Sequence, residues 1–271
     1  MTVSSQRKIR IGELTGGEAR EILARRPVIL VPLGSHEDQG PHAPMGDYLF
    51  AERIAELIAE RSSSRGTATL VAPVVPFGGA NYFGNMAGGI ALAPATFRAV
   101  LADVFACLLR HDLTRLIVIN GHDGNVPIIH EVALEIYRTR KALIPSFYLW
   151  RIADSLLPSV VGAEKAKKTS GHGADAITSV AMHLRPELIR EDLIPGPPSP
   201  RKIMGMPVSG VPTVKFEEAE IAVPVEFDEL ASDGVSSGDP RLCSAETGAA
   251  LVERITELGA RFVQHYAQHS S

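Results

Sequence analysis

Three short stretches of the chain are almost wholly apolar: VILVPL (28–33), TLVAPVV (69–75) and LIVI (116–119). A strand with one face in water alternates apolar and polar residues, whereas runs like these suit strands buried on both faces. The segments between them keep a helical period. From Asp47 to the Ser62-Ser63-Ser64 break, Leu49, Phe50, Ile54, Leu57 and Ile58 recur at helical spacing. From Pro94 to Arg110, Phe97, Val100, Leu101, Val104, Phe105, Leu108 and Leu109 form one apolar stripe. Buried strands alternating with amphipathic helices predict βαβ units, hence an α/β fold with a mostly parallel central sheet covered on both faces.

The remaining segments extend this pattern. Thr15 to Glu18 has capping-box spacing and predicts a short helix running to Arg25. A helix over 126–140, a strand near 143–149 and a final amphipathic helix over 245–266 complete the regular elements. Residues 194–240 are rich in proline and glycine with little periodicity, so they are expected to wrap the core or to make contacts between subunits. With 271 residues, no internal repeat and no linker rich enough in Ser, Gly or Pro to split domains, a single domain over 1–271 is expected.

Charge and cysteine content narrow the partners. A net charge of −4 gives no basic footprint for nucleic acid. No apolar run is long enough to span a membrane. The stretch MTVSSQRKIRIGEL lacks the apolar segment of a secretory signal, and Cys107 and Cys243 have neither metal-site nor disulfide spacing. A reduced, cytoplasmic protein acting on a small molecule is the expectation.

The chemistry is concentrated at the ends of two of the runs. GSHEDQGPHAPMGD (34–47) follows the first strand and NGHDGN (120–125) the third. Ligands of parallel sheets bind outside the carboxyl ends of the strands, so Glu37, Asp47 and His122 could converge there. Two carboxylates and an imidazole suit Zn²⁺, Mn²⁺ or Fe²⁺ with positions left for water. Each residue alone has a plainer reading: Asp47 as a helix N-cap, Glu37 with Asp38 as a solvated pair, His122 as a partner of the backbone.

A third cluster, SGHGADAITS (170–179), places His172 ahead of a helix, where an imidazole could protonate a leaving group. Asp175 could orient His172, cap the helix or reach the metal. The glycine-rich GGANYFGNMAGG (78–89) has neither the P-loop lysine nor the dinucleotide spacing. Asn81, Tyr82 and Phe83 in it read as walls of a pocket. Ser35 and Ser179 lack a nucleophile-elbow context.

RRPVILVPLGSHEDQGPHAPMGD, RLIVINGHDGN, GHGADAITSVAMHLRPELI and DGVSSGDPRLCSAETGAAL together resemble the creatininase (creatinine amidohydrolase) family of metal-dependent hydrolases. The resemblance implies a three-layer α/β/α fold, a homo-oligomer (often a hexamer) and a metal site. It implies Glu37, Asp47 and His122 as ligands, His172 in proton transfer, and Asp123 and Gly124 beside the substrate. Departures from the family pattern are informative. Gln39 stands where the family has a ligand histidine, the stretch from Glu37 to Asp47 is one residue short, and Gly124 replaces a ligand glutamate of creatininase. Asp175 and Ile177 replace two acids of the third motif, and Phe83 a histidine. His36, Gln39 and His42 are the remaining candidates for extra metal ligands.

The expected activity is attack of a metal-activated water on a small cyclic amide or related carbonyl compound other than creatinine. The alternatives are hydrolytic C–C cleavage of a cyclic diketone such as a diketo-inositol, and a non-catalytic binding or assembly protein descended from such an enzyme.

Overall fold

A computed structural model describes residues 8–79, 82–210, 212–231 and 233–270. Asn81 lies outside the described residues. Helix α1 (Gly16–Leu23) begins with the anticipated capping box: Thr15 Oγ1 accepts from the Glu18 amide, and the Thr15 amide donates to Glu18 Oε2. Four parallel strands follow in the order β2-β1-β3-β4, comprising β1 (Val28–Leu33), β2 (Thr69–Val71), β3 (Leu116–Asn120) and β4 (Ser146–Tyr148). The second strand is shorter than its apolar run. Pro73 has no N–H to offer, so the ladder stops at Val71 and resumes only as a bridge between Leu33 and Val75.

Strand alternation sends side chains to two separate cores. Val28, Leu30, Ile117 and Ile119 pack against α2 (Asp47–Ser64), α5 (Leu149–Val161), α7 (Ile177–Leu184) and α9 (Ala245–His269). Ile29, Val31, Leu33, Leu116 and Val118 pack against α3 (Pro94–Arg110) and α4 (Val126–Arg140) on the opposite face. This is the anticipated α/β/α sandwich. Every residue of β1 and β3 is buried, as their unbroken apolar character requires.

Two regions go beyond the sequence reading. The chain turns from β4 directly into α5 and then α6 (Ala163–Thr169), helices that no stretch of the sequence had marked. The segment expected only to wrap the core holds a small antiparallel sheet of β5 (Lys202–Ile203), β6 (Met206–Gly210), β7 (Thr213–Phe216) and β8 (Ala219–Ala222), followed by α8 (Phe227–Leu230). Strands of two to five residues are too short to show a period. Among the described residues no helix is long and apolar enough to cross a membrane.

Candidate metal centre

The strand order has one switch point. From β1 the chain crosses to β2 on one side and then to β3 on the other, so the loops after β1 and β3 diverge above a shared crevice. Register makes them level, because Leu33, the last residue of β1, pairs with Asn120, the last of β3. The loop after β1 folds back on itself through the Glu37 amide donating to Met45 O at 2.8 Å, which returns the chain so that Glu37 and Asp47 face each other.

Asp47 is the first residue of α2 but does not cap it. Its Oδ1 accepts from the Ser35 amide at 2.5 Å and its Oδ2 from Ser35 Oγ at 2.9 Å. His122 Nδ1 lies 3.0 Å from Glu37 Oε2 and 3.8 Å from Asp47 Oδ2. All three side chains are buried, so Glu37 is not half of a solvated pair; Asp38 instead accepts from the Gly40 amide. One ligand atom from each of the three residues lies within 4.8 Å of the others, a grouping suited to a metal ion.

The loop carrying His122 is held by two asparagines. Asn120 Nδ2 donates to His122 O at 2.6 Å, and its Oδ1 accepts from the His122 amide. Asn125, wholly buried, donates to Gly34 O at 3.0 Å and to Asn120 Oδ1, and accepts from the Gly79 amide. The Trp150 indole N–H donates to Gly121 O. Gly34 is required by crowding: a Cβ there would stand 2.3 Å from Asp47 Oδ1 and 2.5 Å from the Tyr48 amide.

Without a metal, these groups compete for protons. Burial pushes the Glu37 carboxyl up, but the charge and hydrogen bond of His122 outweigh it and leave the group below its usual range. Burial, then the neighbouring Glu37 charge, hold Asp47 well above the carboxylate range. Burial disfavours a charged His122, yet the Glu37 carboxylate more than reverses this and raises it to about 9. The site therefore retains protons that a divalent cation would displace. Two carboxylates and an imidazole whose Nε2 has no partner fit Zn²⁺, Mn²⁺ or Fe²⁺.

A cavity of about 270 Å³ opens above the triad. Tyr82, Phe83, Asp123, Gly124, His172, Asp175 and Gln39 line it. His172 Nε2 lies 2.7 Å from Asp38 O. A carbonyl can only accept, so Nε2 carries the hydrogen and Nδ1 holds the lone pair. The ring is flanked by Phe83 and Phe227, with centroids 4.9 and 4.7 Å away. Burial holds its pKa below the ordinary histidine value, so it is neutral at pH 7.

Some candidates fall elsewhere. Asp175 does not orient His172, a task that falls to the Asp38 carbonyl; its Oδ1 accepts from Ser179 Oγ, and its Oδ2 is buried without a partner. It does not cap α7, which has no side-chain cap, and it is not in the metal grouping. His36 and His42 neither line the cavity nor join the triad. His36 bridges Gly46 and Ile90, and His42 lies 3.2 Å from Thr178 Oγ1. Gln39 lies beside the triad, where its Nε2 donates to Glu37 Oε1 at 3.1 Å and its Oε1 has no partner. Sequence reasoning missed the roles of Ser35, Asn120, Asn125, Tyr148, Trp150 and Phe227. Both asparagines stood in the NGHDGN motif, and a buried amide in a glycine-marked loop is a signal for backbone pinning.

Comparison with known proteins adds to this geometry. A family model described as creatininase, creatinine amidohydrolase, matches residues 12–263. The mycofactocin precursor peptide peptidase of Mycobacterium ulcerans is 27% identical over 71% of this chain and 72% of its own. The creatinine amidohydrolase of Pseudomonas putida is 28% identical over 68% and 75%. The 3-dehydro-scyllo-inosose hydrolase of Thermotoga maritima is 27% identical over 66% and 57%. A solved structure of a candidate creatinine amidohydrolase from Bacteroides fragilis superposes with a TM-score of 0.80 at 26% identity, covering 97% of this chain and 98% of its own.

Proposed function

The chain belongs to the creatininase family, and from that premise we propose that it is a metal-dependent hydrolase cleaving an amide C–N bond in a small polar substrate other than creatinine. The observation that carries this reading is the convergence of buried Glu37, Asp47 and His122 at one cavity. They would hold one Zn²⁺, Mn²⁺ or Fe²⁺ ion, which would polarise the substrate carbonyl and bring the pKa of a bound water to about 7.

His172 completes the proton path. Neutral, with Nε2–H held by Asp38 O, it presents Nδ1 as a base. It takes a proton from the attacking water as the oxygen bonds to the carbonyl carbon. It then delivers that proton to the departing nitrogen as the C–N bond breaks, leaving an amine and a carboxylic acid that gives its remaining proton to solvent. Phe83 and Phe227 flank the ring.

Amide cleavage is favoured over C–C cleavage by the lining of the cavity. Tyr82, Phe83, Tyr148, Trp150 and Phe227 give it an aromatic side, a surface for a flat acyl compound. Phe83, Gly124 and Ile177 stand where creatininase has polar residues, which supports a different substrate. We also propose that Asp123 sits beside the substrate at the cavity mouth, and that the protein is a cytoplasmic homo-oligomer of single-domain subunits. Exposed Phe216 and Ile221 on the small antiparallel sheet, with Met204 in its β5–β6 turn, support an oligomer.

The test is hydrolysis of a panel of small amides by protein stripped with a chelator, then restored with Zn²⁺ or Mn²⁺, alongside His122→Ala. Activity that follows the metal and is lost in His122→Ala is expected. Full turnover by demonstrably metal-free protein would remove the reading.

A further inference from the structure

Acids dominate the cavity beyond what the metal centre uses. Glu37, Asp47, Asp123, Asp154 and Asp175 all line it, and among the described residues no lysine or arginine does. Glu37 and Asp47 belong to the triad, and Asp123 faces Arg151 at 3.8 Å. Asp154 and Asp175 are left with no cationic partner among the described residues. Asp154 accepts from Ser170 Oγ at 3.1 Å, and Asp175 accepts from Ser179 Oγ. Neither bond neutralises a charge.

Two further observations point to a ligand. Asp175 is 2% exposed and Gln39 1%, yet Asp175 Oδ2 and Gln39 Oε1 have no hydrogen-bond partner. Buried acceptors without donors are uncommon in folded proteins unless something else supplies the hydrogen. Trp150 and Asp154 also sit one turn apart on α5 and both line the cavity, which sets an indole and a carboxylate on one helix face. An aromatic face beside a carboxylate recognises a positively charged nitrogen through ring quadrupole and charge together. In keeping with this, burial and then the nearby Asp175 charge raise the Asp154 carboxyl above its usual range, a cost that a cation would relieve.

We propose that the substrate carries a positively charged nitrogen, seated between Asp154, Asp175 and the Trp150 indole, on the same small molecule whose amide is cleaved at the triad. This rests on the hydrolase reading for its second half only; the cation site stands on its own lining. A substrate of this class presents several N–H donors, which the acceptors on this wall can satisfy.

Trp150 is the chain's single tryptophan, so intrinsic fluorescence reports on this wall directly. Zinc-loaded protein is titrated at pH 7 with benzylamine, which is protonated, and with benzyl alcohol, a neutral probe of the same size. Benzylamine is expected to bind about tenfold more tightly. Asp154→Asn, at a solvent-accessible position, should bring the two probes to near equality while leaving benzyl alcohol unchanged. Asp175→Asn, included if its metal content and circular dichroism match the parent, should act the same way. Equal affinity for the two probes in the parent, or a preference that survives Asp154→Asn, would overturn the proposal. Preferential benzylamine binding by a protein that hydrolyses no amide would keep the cation site and remove the hydrolase. Equal kcat/KM for ammonium-bearing and neutral amides would do the reverse.

Discussion

His122 Nδ1 lies 3.0 Å from Glu37 Oε2 across the join between two loops that leave neighbouring strands. In metal-free protein this pair holds a proton up to about pH 9, and a metal ion must displace it. Metal binding at pH 7 should therefore release at least one proton per ion, and affinity should climb with pH until about 9. Calorimetric titration with Zn²⁺ in buffers of different ionisation enthalpy measures the release, and binding heats that do not vary with the buffer would contradict it. The sign for stability is opposite. A histidine raised in the folded state stabilises below its ordinary value of 6.5 and loses that contribution as pH rises through 9. The Tm of stripped protein should fall across that interval, and metal should abolish the drop.

Ser35 tests the support beneath the ligands. Its Oγ donates to Asp47 Oδ2 at 2.9 Å, so Ser35→Ala frees one carboxylate oxygen while keeping the backbone bond to the other. Loss of such a supporting partner lowers metal affinity by about 10- to 100-fold. Competition with a fluorescent chelator reads this, with little change expected in Tm. Unaltered affinity would show that the backbone bond alone orients Asp47.

Working at saturating metal isolates His172. Its burial lowers its pKa, so the base form persists below pH 6.5 and kcat should decline only on further acidification. His172→Gln should lower kcat by about 10²- to 10⁴-fold with metal content unchanged, and should remove that acid limb. A variant retaining parental kcat would place the proton path elsewhere.

One ion per chain is the expected metal content after exhaustive dialysis. Gln39 is a neutral amide already bonded to Glu37, Gly124 offers no side chain, and His36 and His42 stand apart from the cavity. Elemental analysis showing two ions at full occupancy would mean that Asp175 or Gln39 Oε1 serves as a ligand.

Fold and site were not equally legible in the sequence. The central strands announced themselves because burial on both faces leaves a strand no room for polar residues, as in VILVPL and LIVI. The triad was legible for a related reason: Glu37, Asp47 and His122 follow those strands, and parallel topology dictates where such loops meet. What stayed hidden depends on long-range contact. No local pattern says that the Asp38 carbonyl will hold His172, 134 positions away, or that Phe227 will stack against Phe83. The burial of His42 against Thr178 is likewise settled by packing of α7, which its own loop does not encode.

The level register of Leu33 and Asn120 has a consequence for how this scaffold can change. The three candidate metal ligands follow two adjacent, fully buried strands, whereas His172, Tyr82, Phe83, Pro212 and Phe227 reach the cavity from segments outside that sheet. Capacity to hold the metal and one part of the cavity wall are thus inherited through different stretches of chain. Exchanging residues 78–90 or 202–230 between relatives should therefore alter the part of substrate preference set by those walls while leaving the triad and the Trp150–Asp154 wall in place, making these two segments interchangeable cassettes on a fixed chassis.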